Sequence, residues 1–249
     1  VVLSHDFDTP GVAVSGQWMR YRGQARTTAL HALAQPEHAW MVAAPPAEGT
    51  CRPLVAGGAL DTRASIDLLD IGTLQITPPE PLAGAALSLT PRPLPPIAFF
   101  AINGVVYDAD APEQLPYLSG GTYRVHADGA EAGPVQGDVQ AASPIWLDQH
   151  RFADTGLEIM WGGASDARIV LARDVGSQTL GIECYGTDGA MEVPFEALAV
   201  LGSGPASLTV SRVRRAPLKM PGFARADLLF VARDGRDIVI PEIEEGPQR

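Results

Sequence analysis

Residues that could do chemistry are few and scattered in this 249-residue chain, which has five histidines, two cysteines and isolated Asp pairs. Ser4-His5-Asp6 has the residue types of a hydrolytic triad. Neighbours on an extended segment point to opposite faces, however, so the three cannot converge on one bond. No Gly-x-Ser-x-Gly elbow exists, and Gly202-Ser203-Gly204 reads as a turn. His126 stands two residues from Asp128, and His150 lies near Asp148 and Asp154, spacings that would suit a divergent hydrolase only if the fold brought in a nucleophile. Asp6/Asp8 and Asp108/Asp110 are Asp-x-Asp pairs of the hard-oxygen type that suits calcium. Neither continues into a calcium-loop pattern, and solvated turn carboxylates explain them as well. Cys51 and Cys184 have no Cys-x-x-Cys or zinc-spaced partner, so they form one long-range disulfide in an oxidising compartment or two buried thiols in a reducing one. No catalytic residue, metal ligand or cofactor is assigned.

Such residues must be held by a scaffold, and the composition describes one. Forty-six per cent apolar residues suffice for a packed core. The 26 glycines and 22 prolines fall singly between short apolar runs, the punctuation of many strands rather than of a linker. A net charge of −11 excludes the basic footprint of a nucleic-acid binder and disfavours an anionic membrane surface. Arg212, Arg214, Arg215 and Lys219 sit in a Val-alternating pattern that reads as a solvated strand face. No apolar run approaches a membrane span; Ile97–Val106 is the longest and contains Asn103-Gly104. The chain begins with Val1, so the lack of a leader carries no information about compartment.

Strands are expected at 12–21, 39–43, 65–69, 73–77, 86–89, 97–107 and 122–127. The second half adds 158–161, 167–172, 179–185, 191–193, 207–213 and 227–232. Turn signals every 8–12 residues are the mark of β-sandwiches. Asn103-Gly104 and Asp234-Gly235 are read as hairpin turns, the second returning through Asp237–Ile240. Residues 27–35 fit a short helix ended by Pro36 and fit a strand equally. More than about 35 per cent strand is expected, above the usual 20–25 per cent, with at most two short helices. Pro144 marks the boundary, giving an N-terminal sandwich over 1–143, a C-terminal one over 144–241 and a frayed acidic tail over 242–249. Leu157, Ile159 and Trp161 share one strand face and read as a core plug.

Several phrases recur in a recognisable order. They are Cys51, Leu69-Asp70-Ile71-Gly72, Gly121-Thr122-Tyr123, Gly156-Leu157-Glu158-Ile159-Met160-Trp161-Gly162-Gly163, Cys184, and Asp188 to Leu198. The order resembles a group of exported β-sandwich proteins of GC-rich environmental bacteria that has no established activity. Asp188-Gly189 is contracted relative to that pattern, Met191 stands where an aromatic is usual, and the stretch Gly129–Gly137 is less glycine-rich. The resemblance implies an all-β chain of two Ig-like antiparallel sandwiches, located in the periplasm or at the cell surface. It implies no catalytic residue, and both cysteines match its pattern.

The resulting reading is a non-enzymatic structural or interaction module of the bacterial envelope, a subunit or accessory of a larger assembly whose partners are other envelope or surface proteins. Nucleic acid and a membrane span are excluded from that reading. Trp18, Tyr21, Trp40 and Ile240 are the candidate partner-contact residues, because the central pattern does not obviously bury them. A carbohydrate- or small-ligand-binding sandwich is the alternative, favoured by an exposed aromatic strip, and a divergent hydrolase is the second.

Overall fold

The computed structural model describes residues 1–22, 43–54, 65–80, 82, 86–94, 102–108, 115–131, 133–176, 178–223 and 226–242. Of these residues 60 % are strand and 2 % helix, so the fold is all-β by a margin wider than expected. The first strands are β1 (Val2–Asp6), β2 (Ala13–Gly16), β3 (Met19–Arg22), β4 (Thr50–Leu54), β5 (Ser65–Leu68) and β6 (Leu74–Thr77). They are followed by β7 (Leu87–Leu89), β8 (Arg92–Pro93), β9 (Ile102–Asp108), β10 (Thr122–Ala127), β11 (Val135–Gln140) and β12 (Trp146–Phe152). The last are β13 (Gly156–Gly162), β14 (Ala167–Val175), β15 (Gln178–Gly186), β16 (Ala190–Pro194), β17 (Gly204–Pro217) and β18 (Asp227–Ile240). One helical turn, α1 (Phe195–Leu198), follows β16. No helix among the described residues is long and apolar enough to cross a membrane.

The chain divides into two compact units, with one of the breaks between them at Ser143/Pro144. The units are nevertheless interlaced rather than consecutive, which corrects the simple 1–143/144–241 partition. Unit 1 takes 1–42, 57–143 and 213–232; unit 2 takes 43–56, 144–212 and 233–249.

In unit 1, one sheet runs β3–β5–β9–β2–β1 and then the first residues of β18, where Leu229 N donates to Val1 O at 2.9 Å. The β5–β9 pair is parallel; the neighbouring pairs β3–β5, β9–β2 and β2–β1 are antiparallel. The second sheet is β11–β10–β6–β7. β10 alternates strictly, with Tyr123, Val125 and Ala127 buried and Thr122, Arg124 and His126 in water, which is what a half-buried antiparallel strand requires. The inward residues meet the first sheet, with the Tyr123 and Phe230 rings 5.2 Å apart. The buried phenol still finds partners: Tyr123 donates to Pro116 O at 2.6 Å and accepts from Leu118 N at 2.9 Å.

Leu69-Asp70-Ile71-Gly72 is a turn locked by side chains. Asp70 Oδ1 accepts from Gly72 N at 2.6 Å and from the Tyr107 hydroxyl at 3.0 Å, and Gly72 takes φ +78°. Asn103-Gly104 is not a hairpin. Both residues lie within β9, and a Cβ on Gly104 (φ +123°) would fall 1.8 Å from Leu68 O on the neighbouring strand. Glycine is needed there for close strand approach.

Unit 2 also stacks two sheets. β17 (its residues 204–212), β14, β15 and β4 pair in that order, all antiparallel where the registers are given, and β12–β13–β16 form the other. Leu157, Ile159 and Trp161 of β13 point inward and are buried. The Trp161 ring covers Gly186 of β15, where a Cβ would come within 2.7 Å. Asp234-Gly235 is likewise no hairpin, since β18 continues through it to Ile240. Asp234 instead accepts a hydrogen bond from Leu147 N at 2.7 Å, and Arg236 donates to Leu147 O at 2.7 Å, so two side chains cap the backbone of β12. The expected helix or strand at 27–35, the strand at 39–42 and the tail beyond Glu242 lie outside the described residues.

Candidate functional site

β4 is an edge strand that tolerates Pro53, and its anchor to β15 is both covalent and ionic. Cys51 and Cys184 lie directly opposite each other, with Cα atoms 4.1 Å apart, and are joined in a disulfide. One position on, Arg52 faces Glu183. The Glu183 side chain has no solvent exposure, and its Oε2 accepts from Arg52 Nε at 3.0 Å and Nη2 at 2.5 Å. Its Oε1 faces Arg168 Nε at 3.5 Å, an ion-pair distance too long for a strong hydrogen bond. The two guanidiniums also donate to Ala44 O and Ala43 O, so the same cluster ties down the segment entering β4. A carboxylate held in this way works as a structural clamp, not as a free acid or base.

The other chemistry-bearing residues are spread out. His5 is buried, stacked on Tyr117 at 3.7 Å, and its Nδ1 donates to Gly11 O at 3.0 Å, while Ser4 and Asp6 occupy the opposite side of β1. His126 pairs with Asp128 at 3.0 Å on an exposed strand face. Asp6 O accepts from Thr9 N in a turn, Asp108 pairs with Arg92, and Asp110 lies outside the described residues. No group of three His, Cys, Asp or Glu that could hold a metal occurs among the described residues. Arg212 pairs with Asp166 at 2.8 Å in unit 2, while Arg214, Arg215 and Lys219 are exposed in unit 1.

Two of the four candidate contact residues are core residues, which corrects their expected exposure. Trp18 is 3 % exposed and meets Tyr107 edge-on at 5.2 Å, because the absence of a side chain on Gly16 leaves room for its indole. Ile240 is 1 % exposed and shares the inward face of β18 with Ile238, leaving Val239 outside. Tyr21 lies in β3 with its backbone opposite Ile66, and Trp40 lies outside the described residues.

A different aromatic is half-buried. Trp146 opens β12 opposite Gly162, on the outer face of the three-stranded sheet of unit 2, and is partly exposed. Its indole packs against two glycines: a Cβ on Gly162 would come within 2.4 Å of the ring and one on Gly163 within 2.6 Å. Its Nε1 donates to Asp148 at 2.7 Å, and Asp148 sits where the register shifts between Leu147 and Gln149. Because of that irregularity, Gln149 stands opposite Met160 on the same outer face as Trp146, with Ala190 beyond on β16. The next outer row is Arg151, Glu158 and Glu192. Met160 is 48 % exposed. A hydrogen bond from Arg151 holds Glu158 below the usual carboxylate range. The face therefore carries the half-buried Trp146, an exposed thioether and a row of polar side chains. Sequence reasoning passed over Trp146; the one trace of it is Gly162-Gly163, which clears space for a ring whose identity depends on strand register. Comparison with protein-family models, curated proteins and solved structures gives no match.

Proposed function

We propose that this chain is an exported, non-catalytic binding module of the bacterial cell envelope or surface, serving as a subunit or accessory of a larger assembly. The observation that carries the reading is the Cys51–Cys184 disulfide, because such bonds form and persist in oxidising compartments and are rare where glutathione keeps thiols reduced. The order of strand phrases shared with exported Ig-like sandwiches supports the same compartment and an Ig-like character for the sandwiches. Strand edges such as β7 and β16, each at the end of its sheet among the described residues, support an interaction role, since exposed edges are usually kept where something pairs with them or guards them. Fractionation of the producing bacterium, with alkylation of the native protein before and after reduction, tests this. The expected result is protein in the envelope or outside the cell, with both thiols blocked until reduced. Recovery from the cytoplasm with two freely alkylated cysteines refutes it.

A further inference from the structure

We propose that Asp234-Gly235 is a site of self-modification, where the aspartate carboxyl closes onto the glycine amide and the ring reopens as isoaspartate, releasing the grip of β18 on β12. This chemistry is independent of the binding role and takes no reagent but water.

An Asp-Gly pair has the composition for this chemistry, because glycine puts no side chain beside the attacking nitrogen. The chain has three such pairs, Asp128-Gly129, Asp188-Gly189 and Asp234-Gly235. They differ in where the glycine N–H points. Gly129 N donates to Ile71 O at 3.1 Å and Gly189 N to Ser165 O at 3.2 Å, so each is turned to the carbonyl of a residue far off in sequence. Gly235 N instead donates to Oδ1 of the aspartate just before it, at 2.8 Å. The carboxyl carbon, one bond behind that oxygen, is then roughly 3–4 Å from the nitrogen, against the ~3–3.5 Å of a near-attack arrangement. The second carboxyl oxygen is held as well. Oδ2 accepts from Leu147 N at 2.7 Å, a backbone donor placed to stabilise the charge that develops on this oxygen during attack. Arg236 donates to Leu147 O at 2.7 Å and so fixes the same residue from its other side. Gly235 is exposed, which gives water access to the ring once it forms.

The bonds balance without a cofactor. With the carboxyl protonated, Gly235 N attacks Cγ of Asp234 and the N–Cγ bond forms. The amide proton passes to Oδ1, which departs with the carboxyl proton as water and leaves a cyclic imide. Water then adds to the imide carbonyl that was the main-chain carbonyl of Asp234, and the bond from that carbon to nitrogen breaks. The chain now runs through the former side chain, with the old main-chain carboxylate set free. The net change is an isomerisation that inserts one methylene into the backbone of β18. It also turns the carboxyl group that held Leu147 N into a peptide bond, so β12 loses this clamp.

The test compares the three pairs within one molecule. The full chain is incubated folded in warm, mildly acidic buffer, and in parallel in urea that unfolds it. Isoaspartate is labelled with an isoaspartyl methyltransferase and its methyl donor, then located by peptide mapping. Asn103-Gly104 reaches the same product by losing ammonia and is told apart by its change in mass. Folded protein should accumulate isoaspartate at position 234 several-fold faster than at 128 or 188. Unfolding should level the three rates, because the dipeptide is the same and only the fold distinguishes them. Amide hydrogen exchange at Leu147 should quicken in the isomerised fraction, as the clamp is lost. Folded protein that isomerises first at 128 or 188, or at none of the three, overturns the proposal. So does a lead at 234 that persists in urea, or an exchange rate at Leu147 that isomerisation leaves unchanged.

Discussion

Replacing both cysteines in Cys51→Ala/Cys184→Ala should destabilise the protein by about 4–5 kcal/mol, and the number follows from where the bond sits in the chain. The two residues are 133 apart in sequence. On the chain-entropy relation, closing a loop of that length removes about 5 kcal/mol of unfolded-state freedom at room temperature. Residues 57–143 within the loop belong to unit 1. If unit 2 melts while unit 1 stays folded, the flexible part shrinks to about 45 residues and the same relation gives about 4 kcal/mol. The native state gives up little in exchange, because the β4–β15 ladder and the Arg52–Glu183 pair remain. Urea unfolding followed by far-UV circular dichroism measures the loss, and the slope adds a second reading. An uncrosslinked unfolded chain exposes more surface, so m should rise in the variant as the midpoint falls. A loss below about 1 kcal/mol would refute the reasoning, as would two alkylatable thiols in the native parent. A full-size loss with an unchanged slope would assign the effect to native packing around the buried Cys184 instead.

Three further perturbations probe particular contacts. Glu183→Ala removes the buried carboxylate that faces Arg168 and Arg52 and should cost about 3 kcal/mol, at the low end for breaking a buried pair because Arg52 reaches solvent; urea unfolding no different from the parent would show that the cluster clamps nothing. Burial pushes the Tyr123 phenol up to about 12 and raises Tyr107 and Tyr117 as well. The Tyr123 contribution to stability is therefore complete below the unfolded value near 10 and lost as pH rises through about 12, and those of Tyr107 and Tyr117 are lost in the same direction, above 10. An ultraviolet titration should show at least three tyrosines ionising late and together with unfolding, and the idea fails if every tyrosine titrates near 10 in protein that circular dichroism reports as folded. Gly104→Ala should cost more than about 3 kcal/mol, because its Cβ would overlap Leu68 O, whereas Gly120→Ala at φ +71° with open space around it should cost about 1 kcal/mol. Equal unfolding midpoints for the two would rule out the close-approach explanation of Gly104.

Alternation carried the reading where a strand buries one face. β10 and β13 were legible for that reason, and Trp161 was identified as a plug because Leu157, Ile159 and Trp161 share a parity that water cannot accept. Dipeptide turn signals misled where a glycine serves the neighbouring strand. Asn103-Gly104 has the composition of a hairpin, but its φ of +123° lets β9 pass Leu68, a requirement set by a strand about 36 residues earlier. β17 and β18 were read as short because Arg212–Arg215 and Arg233–Asp237 interrupt their apolar runs. Charged residues end an apolar pattern without ending a hydrogen-bonded ladder, so period alone underestimates long strands whose ends lie in different surroundings. The same limitation hid the interlaced units. β4 has Pro53 and little alternation, and only its pairing with β15 shows that residues 43–56 belong with the C-terminal half.

The aromatic search went wrong for a related reason. Trp18 drew notice because its surroundings in sequence are poorly patterned, yet a tryptophan is buried or presented according to what lies beneath it. Gly16 makes room for Trp18 inside unit 1, and the Tyr107 ring closes over it. Gly162 and Gly163 clear a flat patch on the outside of a sheet, and the register that brings them under Trp146 depends on an irregularity between Leu147 and Gln149. If Asp148 were instead paired regularly opposite Met160, Gln149 and Arg151 would turn to the inner face and His150 to the outer one, since a one-residue slip inverts every side chain beyond it. The placing of Trp146 beside a polar row is therefore a property of pairing across 16 residues. Deleting Asp148 is the direct check. It should close the ladder with Gln149 still opposite Met160 and Arg151 still opposite Glu158, and leave unit 2 folded with the loss of the Trp146–Asp148 hydrogen bond; a deletion variant that fails to fold would mean that the bulge does more than set the register.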